Sequence, residues 1–434
     1  MKNDLEKKVM RKVTLRIIPF IMLLYFIAFL DRVNIGFAAL TMNQDLGFSP
    51  TVFGLGAGIF FLGYFLFEVP SNLILHKVGA RIWIARVMIT WGFVSGCMAF
   101  VQGTTSFYIL RFLLGVAEAG FFPGIILYLS YWFPAARRAQ VTAIFMAAAP
   151  LSTALGSPVS AALLEMHGFL GYAGWQWMFV LEALPALVLG VVVLFFLTDR
   201  PAKAKWLTDQ ERAWLENAMQ DEERAQAAKQ SHSSAWRGLA DIRVLALVYF
   251  GTSAGLYTLG IWSPQIIRSF GASSLEIGFL NAFPAVIGVI AMILWARHSD
   301  RTKERSWHVI GACLLAGAGL IYAGNVSTLF TVMVALTLVT VGISASKPPL
   351  WSMPTLFLSG PAAAAGIAAI NSIGNLGGFV GPMMIGVIRE QTGSYSWGLY
   401  FVAGLLALSA LVVMILSARA NKSPTAELPH PHTH

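Results

Sequence analysis

Long apolar runs separated by short polar breaks recur along the whole 434-residue chain. Runs of spanning length cover approximately 17 to 40, 52 to 75, 82 to 101, 107 to 132, 139 to 164, 176 to 198, 242 to 267, 276 to 298, 307 to 323, 328 to 356, 362 to 388 and 397 to 417. A helix needs about 20 mostly apolar residues to cross hydrocarbon, so each run is predicted to be one membrane-spanning helix. Strand-like alternation is absent, which argues against a barrel. Twelve spans, an even number, return the chain to its starting side. Most connections are short, but 199–241 is a long polar interruption. We therefore expect an N-terminal six-helix bundle at 1–198, a linker at 199–241, a C-terminal six-helix bundle at 242–418 and a disordered tail at 419–434. Within the linker, Thr208-Asp-Gln-Glu211 has the spacing of a capping box, opening a short amphipathic surface helix through Trp214 and Leu215.

The halves repeat one another. A fixed offset of 224 lays Gly47 on Gly271, Gly54 on Gly278, Arg81 on Arg305 and Pro158 on Pro382. Repeats of this kind place a binding site between the halves near the bilayer midplane.

Composition agrees with lipid as the solvent. Hydrophobic residues make up 57% and charged residues 12%, with a mean hydropathy of +0.68, far from the balance of a water-soluble globule. The net charge of +9 does not point to nucleic acid. Of the 30 Lys and Arg residues, 25 fall on the side of the chain ends and the linker. Basic residues crowd cytoplasmic loops, so both termini and the linker are expected in the cytoplasm of a multi-pass protein. Cys97 and Cys313 lie within spans and imply no disulfide. Asp31 and Arg32 interrupt the first apolar run, so it is read as a retained span and not as a cleaved signal.

Charge inside a span costs about 2.5–3.5 kcal/mol on insertion scales, so each instance needs a partner or a wet cavity. Asp31 and Arg32 lie in the first span, Arg111 and Glu118 in the fourth, and Lys347 in the tenth. Arg111 and Glu118 are seven apart, two turns on one face, and are expected to look into one cavity. The set reads either as a structural network that neutralises itself or as an anion site with proton-carrying acids. Two acids balance two arginines, which leaves Lys347 for an anionic ligand. Arginine suits a carboxylate because its planar fork binds both oxygens. If Glu118 is protonated, Arg111 is released to a substrate carboxylate, so proton and anion favour each other's binding. The second half is expected to add Tyr257, Trp262, Gln265, Trp351, Ser352, Asn371 and Asn375 as substrate contacts, with interhelical hydrogen bonding as the alternative for the asparagines. Glu68 reads as a capping or gating residue and Glu182 as a structural one. The Gly-rich stretches 54–63 and 374–381 read as hinges or as close-packing sites. His430, His432 and His434 belong to the expected disordered tail.

Residues 297–305, with Asp300, Arg301 and Arg305, resemble the basic inter-helix signature of the major facilitator superfamily, which latches helices on the cytoplasmic side. The first half offers Arg81 at the matching place, but His76 stands where the aspartate should be, so that latch is expected to be altered. Asp31-Arg-Val-Asn34, Glu68-Val-Pro-Ser-Asn72, Arg111 through Glu118, Gly174-Trp-Gln-Trp177, Lys205-Trp-Leu-Thr208 and Ile370 through Gly378 together resemble the anion:cation symporter branch. That branch includes bacterial proton symporters for tartrate, sugar acids and phthalate. The resemblance implies an all-α fold of two pseudo-symmetric six-helix bundles. It also implies proton-coupling roles for Asp31 and Glu118, anion-binding roles for Arg32 and Arg111, and a cavity role for Tyr64. Lys347 departs from the branch pattern and is read as marking a second carboxylate on the substrate.

The resulting expectation is a monomeric bacterial inner-membrane symporter importing a small organic carboxylate with protons by alternating access, without cofactor or metal. An exporter or exchanger of the same fold is the alternative. An intramembrane enzyme or sensor is disfavoured, because the spans hold no paired nucleophile and base and no metal-ligand set, and no phosphate-cradling loop is present.

Overall fold

In a computed structural model, residues 2–229, 235–353 and 360–422 are described; the tail histidines and the His76 side chain lie outside that description. The first half comprises α1 (Lys2–Asp45), α2 (Pro50–Val78), α3 (Ala80–Cys97), α4 (Thr104–Glu118), α5 (Phe121–Trp132), α6 (Ala135–Met146), α7 (Ala148–Leu164) and α8 (Gly174–Phe196). After the linker helix α9 (Asp209–Lys229) come α10 (Ala235–Arg268), α11 (Ser274–Thr302), α12 (Ser306–Ala323), α13 (Leu329–Ser352), α14 (Gly360–Asn375), α15 (Gly377–Thr392) and α16 (Ser396–Lys422). Apolar side chains all round these helices explain why many exposed residues are Leu, Ile, Phe and Val: they face lipid.

Among the described residues, eleven helices are long and apolar enough to cross a membrane. The twelfth crossing is the pair α14 and α15, each 16 residues long, broken at Leu376. The expected continuous span at 362–388 is thus two half-helices. The fourth and fifth spans are also broken, at Ala119–Gly120 between α4 and α5 and at Ala147 between α6 and α7. Gly120 has φ of 87°, a left-handed turn that glycine adopts without strain, and Ser71 fills the space where a side chain would stand.

The halves meet along α1 with α10, α2 with α15, and α7 with α11. Small residues make this seam. A Cβ on Gly54 would sit 2.7 Å from the Pro382 carbonyl oxygen, and one on Gly278 would sit 3.0 Å from the Ser157 carbonyl oxygen and 3.1 Å from Pro158. Gly54 and Gly278, and Pro158 and Pro382, are the pairs related by the 224 offset, so the two crossings are reciprocal. The offset also relates Gly79 (φ 97°) to Lys303 (φ 55°), both left-handed, at matching inter-helix turns. We call the end bearing the basic loops the basic end and the other the opposite end.

The linker helix opens with the expected capping box. The Glu211 carboxylate accepts from the Thr208 amide at 3.0 Å, and the Thr208 hydroxyl accepts from the Glu211 amide at 3.2 Å.

Candidate functional site

The break after α4 builds the centre of the molecule. Glu118 is the last residue of α4, where the helix dipole disfavours an anion, and the chain turns away at Ala119 and Gly120. The Arg32 guanidinium from α1 compensates, forming an ion pair with Glu118 in which both side chains are buried. Arg32 also donates to the Tyr257 hydroxyl of α10 at 2.9 Å, which ties the pair to the second half. Its guanidinium lies 5.5, 5.3 and 6.0 Å from the ring centres of Phe60, Tyr64 and Tyr257, distances suited to cation–π attraction. One cation is therefore surrounded by one carboxylate and three aromatic faces at the seam.

The other predicted charges do not pair there, although the Arg111 guanidinium lies 5.1 Å from the centre of the same Phe60 ring. Arg111 donates to the backbone carbonyls of Gly56 at 3.3 Å and Ala57 at 3.0 Å on α2, and its Nη1 has no protein partner. It makes no ion pair with Glu118, so the expected exchange between those two gives way to Arg32 as the partner of the acid. Asp31 turns into the first half, accepting from Trp91 Nε1 at 2.7 Å and the Ser95 hydroxyl at 3.3 Å on α3. Asp31, Arg32, Arg111 and Glu118 are all nearly inaccessible, at 1, 6, 0 and 1%. In place of the expected wet chamber, this conformation closes protein over the pair, because α1 and α10 pack directly at Gly36, where a Cβ would sit 2.7 Å from the Gly260 carbonyl oxygen.

The second-half candidates divide into groups. Tyr257 reaches the centre. Trp262 and Gln265 lie instead at the opposite end: Trp262 Nε1 donates to the Pro382 carbonyl at 3.1 Å and its ring packs edge-on against Phe53, while Gln265 accepts from Arg389 at 3.4 Å. There Glu390 of α15 accepts from the Ser49 hydroxyl at 2.8 Å and the Thr51 amide at 2.9 Å, capping the first turn of α2 from the other half. Asn281 joins Ser157 and Ser263 at 2.9 and 2.6 Å.

Towards the basic end, Trp351 packs edge-on against Tyr249 at 4.9 Å, and its Nε1 is buried without a partner. Ser352 donates to the Pro349 carbonyl. Lys347 is half-buried and has no hydrogen-bond or ion-pair partner among the described residues. Asn371 and Ser372 of α14 both donate to Glu68 of α2, Asn371 at 2.6 Å. Asn375 keeps a buried Oδ1 without a partner. Glu68 is thus a fully buried carboxylate held by the opposite half, and sequence reasoning gave it too little weight. Its signal was there: an acid one turn from Tyr64, within an otherwise apolar run. Glu182 is buried and accepts from Asn34 at 3.0 Å and Ser160 at 2.6 Å. In the basic segment 297–305, Arg305 meets Asp300 at 2.7 Å, and Arg301 is exposed. Arg81, lacking an aspartate at position 76, takes Asp199 through its amide at 2.9 Å.

The sequence profile of the Major Facilitator Superfamily matches residues 21–382. The chain belongs to the Major Facilitator Superfamily. Like other members it is a membrane transporter and not an enzyme. Within the superfamily it is 74% identical, over 99% of its length and 96% of the relative's, to a protein of Agrobacterium vitis named "Putative tartrate transporter". It is 40% identical to a "Quinolone resistance transporter" of Acinetobacter baumannii, over 97% of this chain and 98% of that one. Its fold matches a bacterial homologue of the human lysosomal transporter Spinster, described as inward-facing and occupied, with a TM-score of 0.75 at 16% identity, covering 95% of this chain and 98% of that one.

Proposed function

We propose that the protein is a proton-coupled symporter that moves a small organic carboxylate, of the tartrate-like hydroxy-acid class, by alternating access of its two halves. One observation carries this reading: the buried Arg32–Glu118 pair, fastened to the second half through Tyr257. A substrate carboxylate is the chemical equal of the Glu118 carboxylate and competes with it for Arg32. Protonating Glu118 removes that competitor, so proton and anion load together. Asp31, held by neutral donors of α3 beside Arg32, is the second proton-carrying acid in this scheme. Arg111 keeps the field positive, and Lys347 and the unpaired Trp351 and Asn375 groups supply further contacts from the second half. The pair is enclosed here and becomes reachable when the halves rock. The identity to a tartrate-named relative over nearly the whole chain supports the substrate class. The basic-loop distribution supports cytoplasmic termini in a bacterial inner membrane, and the protein is taken to work as a monomer.

The test is uptake of tartrate into proteoliposomes under an inward proton gradient. Driven accumulation is expected, and its collapse by a protonophore. Glu118→Gln is expected to retain substrate exchange, because Arg32 is freed, and to lose accumulation driven by the gradient at least tenfold. Accumulation indifferent to the gradient would defeat the coupling, and a full rate with Glu118→Gln would defeat the role of that acid.

A further inference from the structure

The first turns of α1 carry basic side chains on two faces. Lys8, Lys12 and Arg16, spaced four apart, share one face, and the chain itself engages all three. Lys8 and Lys12 reach Glu211 at 3.7 and 2.8 Å, and Arg16 lies 4.7 Å from the Phe196 ring centre and 5.1 Å from that of Trp206. Lys7, Arg11 and Thr14 form a different face. Lys7 and Arg11 have no ion-pair or hydrogen-bond partner among the described residues. Opposite them α6 brings Arg137, and between the helices lies a cavity of about 290 Å³. Three cations line it, and the acid paired with one of them is Glu6, 3.4 Å from Arg137.

Thr14 and Gln140 add two neutral polar groups, and the rest of the lining, Met10, Leu15, Val141 and Ile144, is apolar. Leu15 is 63% exposed and Ile144 40% exposed, at the level where the polar start of α1 gives way to its first apolar run. The cavity thus has a cationic floor and a greasy rim at the membrane boundary. A free phosphate has no use for the rim, and an acyl chain alone has none for the cations. We propose that this cavity holds the headgroup of an anionic phospholipid, with phosphate oxygens between Lys7, Arg11 and Arg137 and the acyl chains running along Leu15 and Ile144. Because α1 also carries Arg32 and packs on α10, such a lipid grips the helix that bears the central cation.

The experiment is a thermal-shift titration of the purified full-length protein, with native mass spectrometry of retained lipid. Phosphatidylglycerol is expected to raise Tm by several degrees and phosphatidylcholine not to. The double variant Lys7→Gln/Arg11→Gln is expected to lose most of that difference, while Arg297→Gln/Lys303→Gln, equal in charge lost, keeps it. Thr14→Trp fills the cavity without removing charge and is also expected to abolish the preference, which keeps the test alive if the double variant folds poorly. An equal shift from glycerol 1-phosphate, equal response to both lipids, full response in the Lys7/Arg11 and Thr14 variants, or the same loss in the control variant would each overturn the proposal.

Discussion

Removing the Glu68 carboxylate leaves two donors of the opposite half facing an empty acceptor site. Glu68→Ala is expected to cost about 1–3 kcal/mol, read as a lower Tm, while Glu68→Gln recovers part of it because the amide oxygen still accepts from Asn371. Lys347 calls for a ligand-based measurement. Lys347→Met is expected to weaken binding of a dicarboxylate by roughly tenfold or more, about the worth of one charge-assisted hydrogen bond, and to leave a matched monocarboxylate nearly unchanged in thermal-shift titrations. At this scale the sequence was informative about which residues are unusual and poor on what they touch. Arg32, Glu118 and Lys347 stand out because charge in an apolar run is costly. Spacing along one helix says nothing of the neighbouring helix, so the pairing of Arg111 with Glu118 did not follow from their shared face. The acceptors Arg111 found, carbonyls of Gly56 and Ala57, have no sequence signature beyond small size.

Helices were legible where period and length are strong, and their interruptions only in part. Gly120 is a visible breaker between α4 and α5, and the glycines around Leu376 marked the break between α14 and α15. At Ala147 the breaker stands just downstream, because Pro150 in the first turn of α7 has no amide to donate to the Met146 carbonyl. The capping box was legible because both of its bonds are local, and its wider anchorage was not. Glu211 is buried against α1, and the hydrogen bond from Lys12, aided by the Thr208 amide, holds its carboxyl below the usual carboxylate range. For a lowered folded value the stabilisation is fully present above the ordinary pKa of about 4 and disappears as pH falls through the lowered one. Glu211→Gln at neutral pH is therefore expected to loosen the start of α9 by about 1 kcal/mol, seen as severalfold faster hydrogen exchange over residues 208–215. The wild-type protein should show the same loosening only in acid.

Across the whole molecule the reciprocal glycine crossings make a quantitative demand. Gly54→Val drives a branched side chain into the Pro382 carbonyl, and Gly278→Val does the same at Ser157 and Pro158. Each is expected to cost about 1–3 kcal/mol through overpacking. Each should also part the opposite end, so that a cysteine placed at Ser49 reacts faster with maleimide. Equal effects at both sites are the signature of the internal repeat, and an effect at one alone would refute the equivalence. Four coincidences at a shift of 224 were enough to suggest the repeat. That its matched members would touch one another across the seam could not be read from the chain, because contact depends on how the halves are docked.

The cap that Glu390 supplies to α2 sets a resting bias. The Ser49 hydroxyl caps the Val52 amide from just before α2, whereas the side chain satisfying the Thr51 amide belongs to the neighbouring bundle, so the first turn has its full set of bonds only while the two halves meet there. Parting the halves at this end hands the amide back to water and gives up both Glu390 bonds. Under the proposed rocking of the halves, opening at this end is opposed by a borrowed carboxylate, which bound cargo has to outbid.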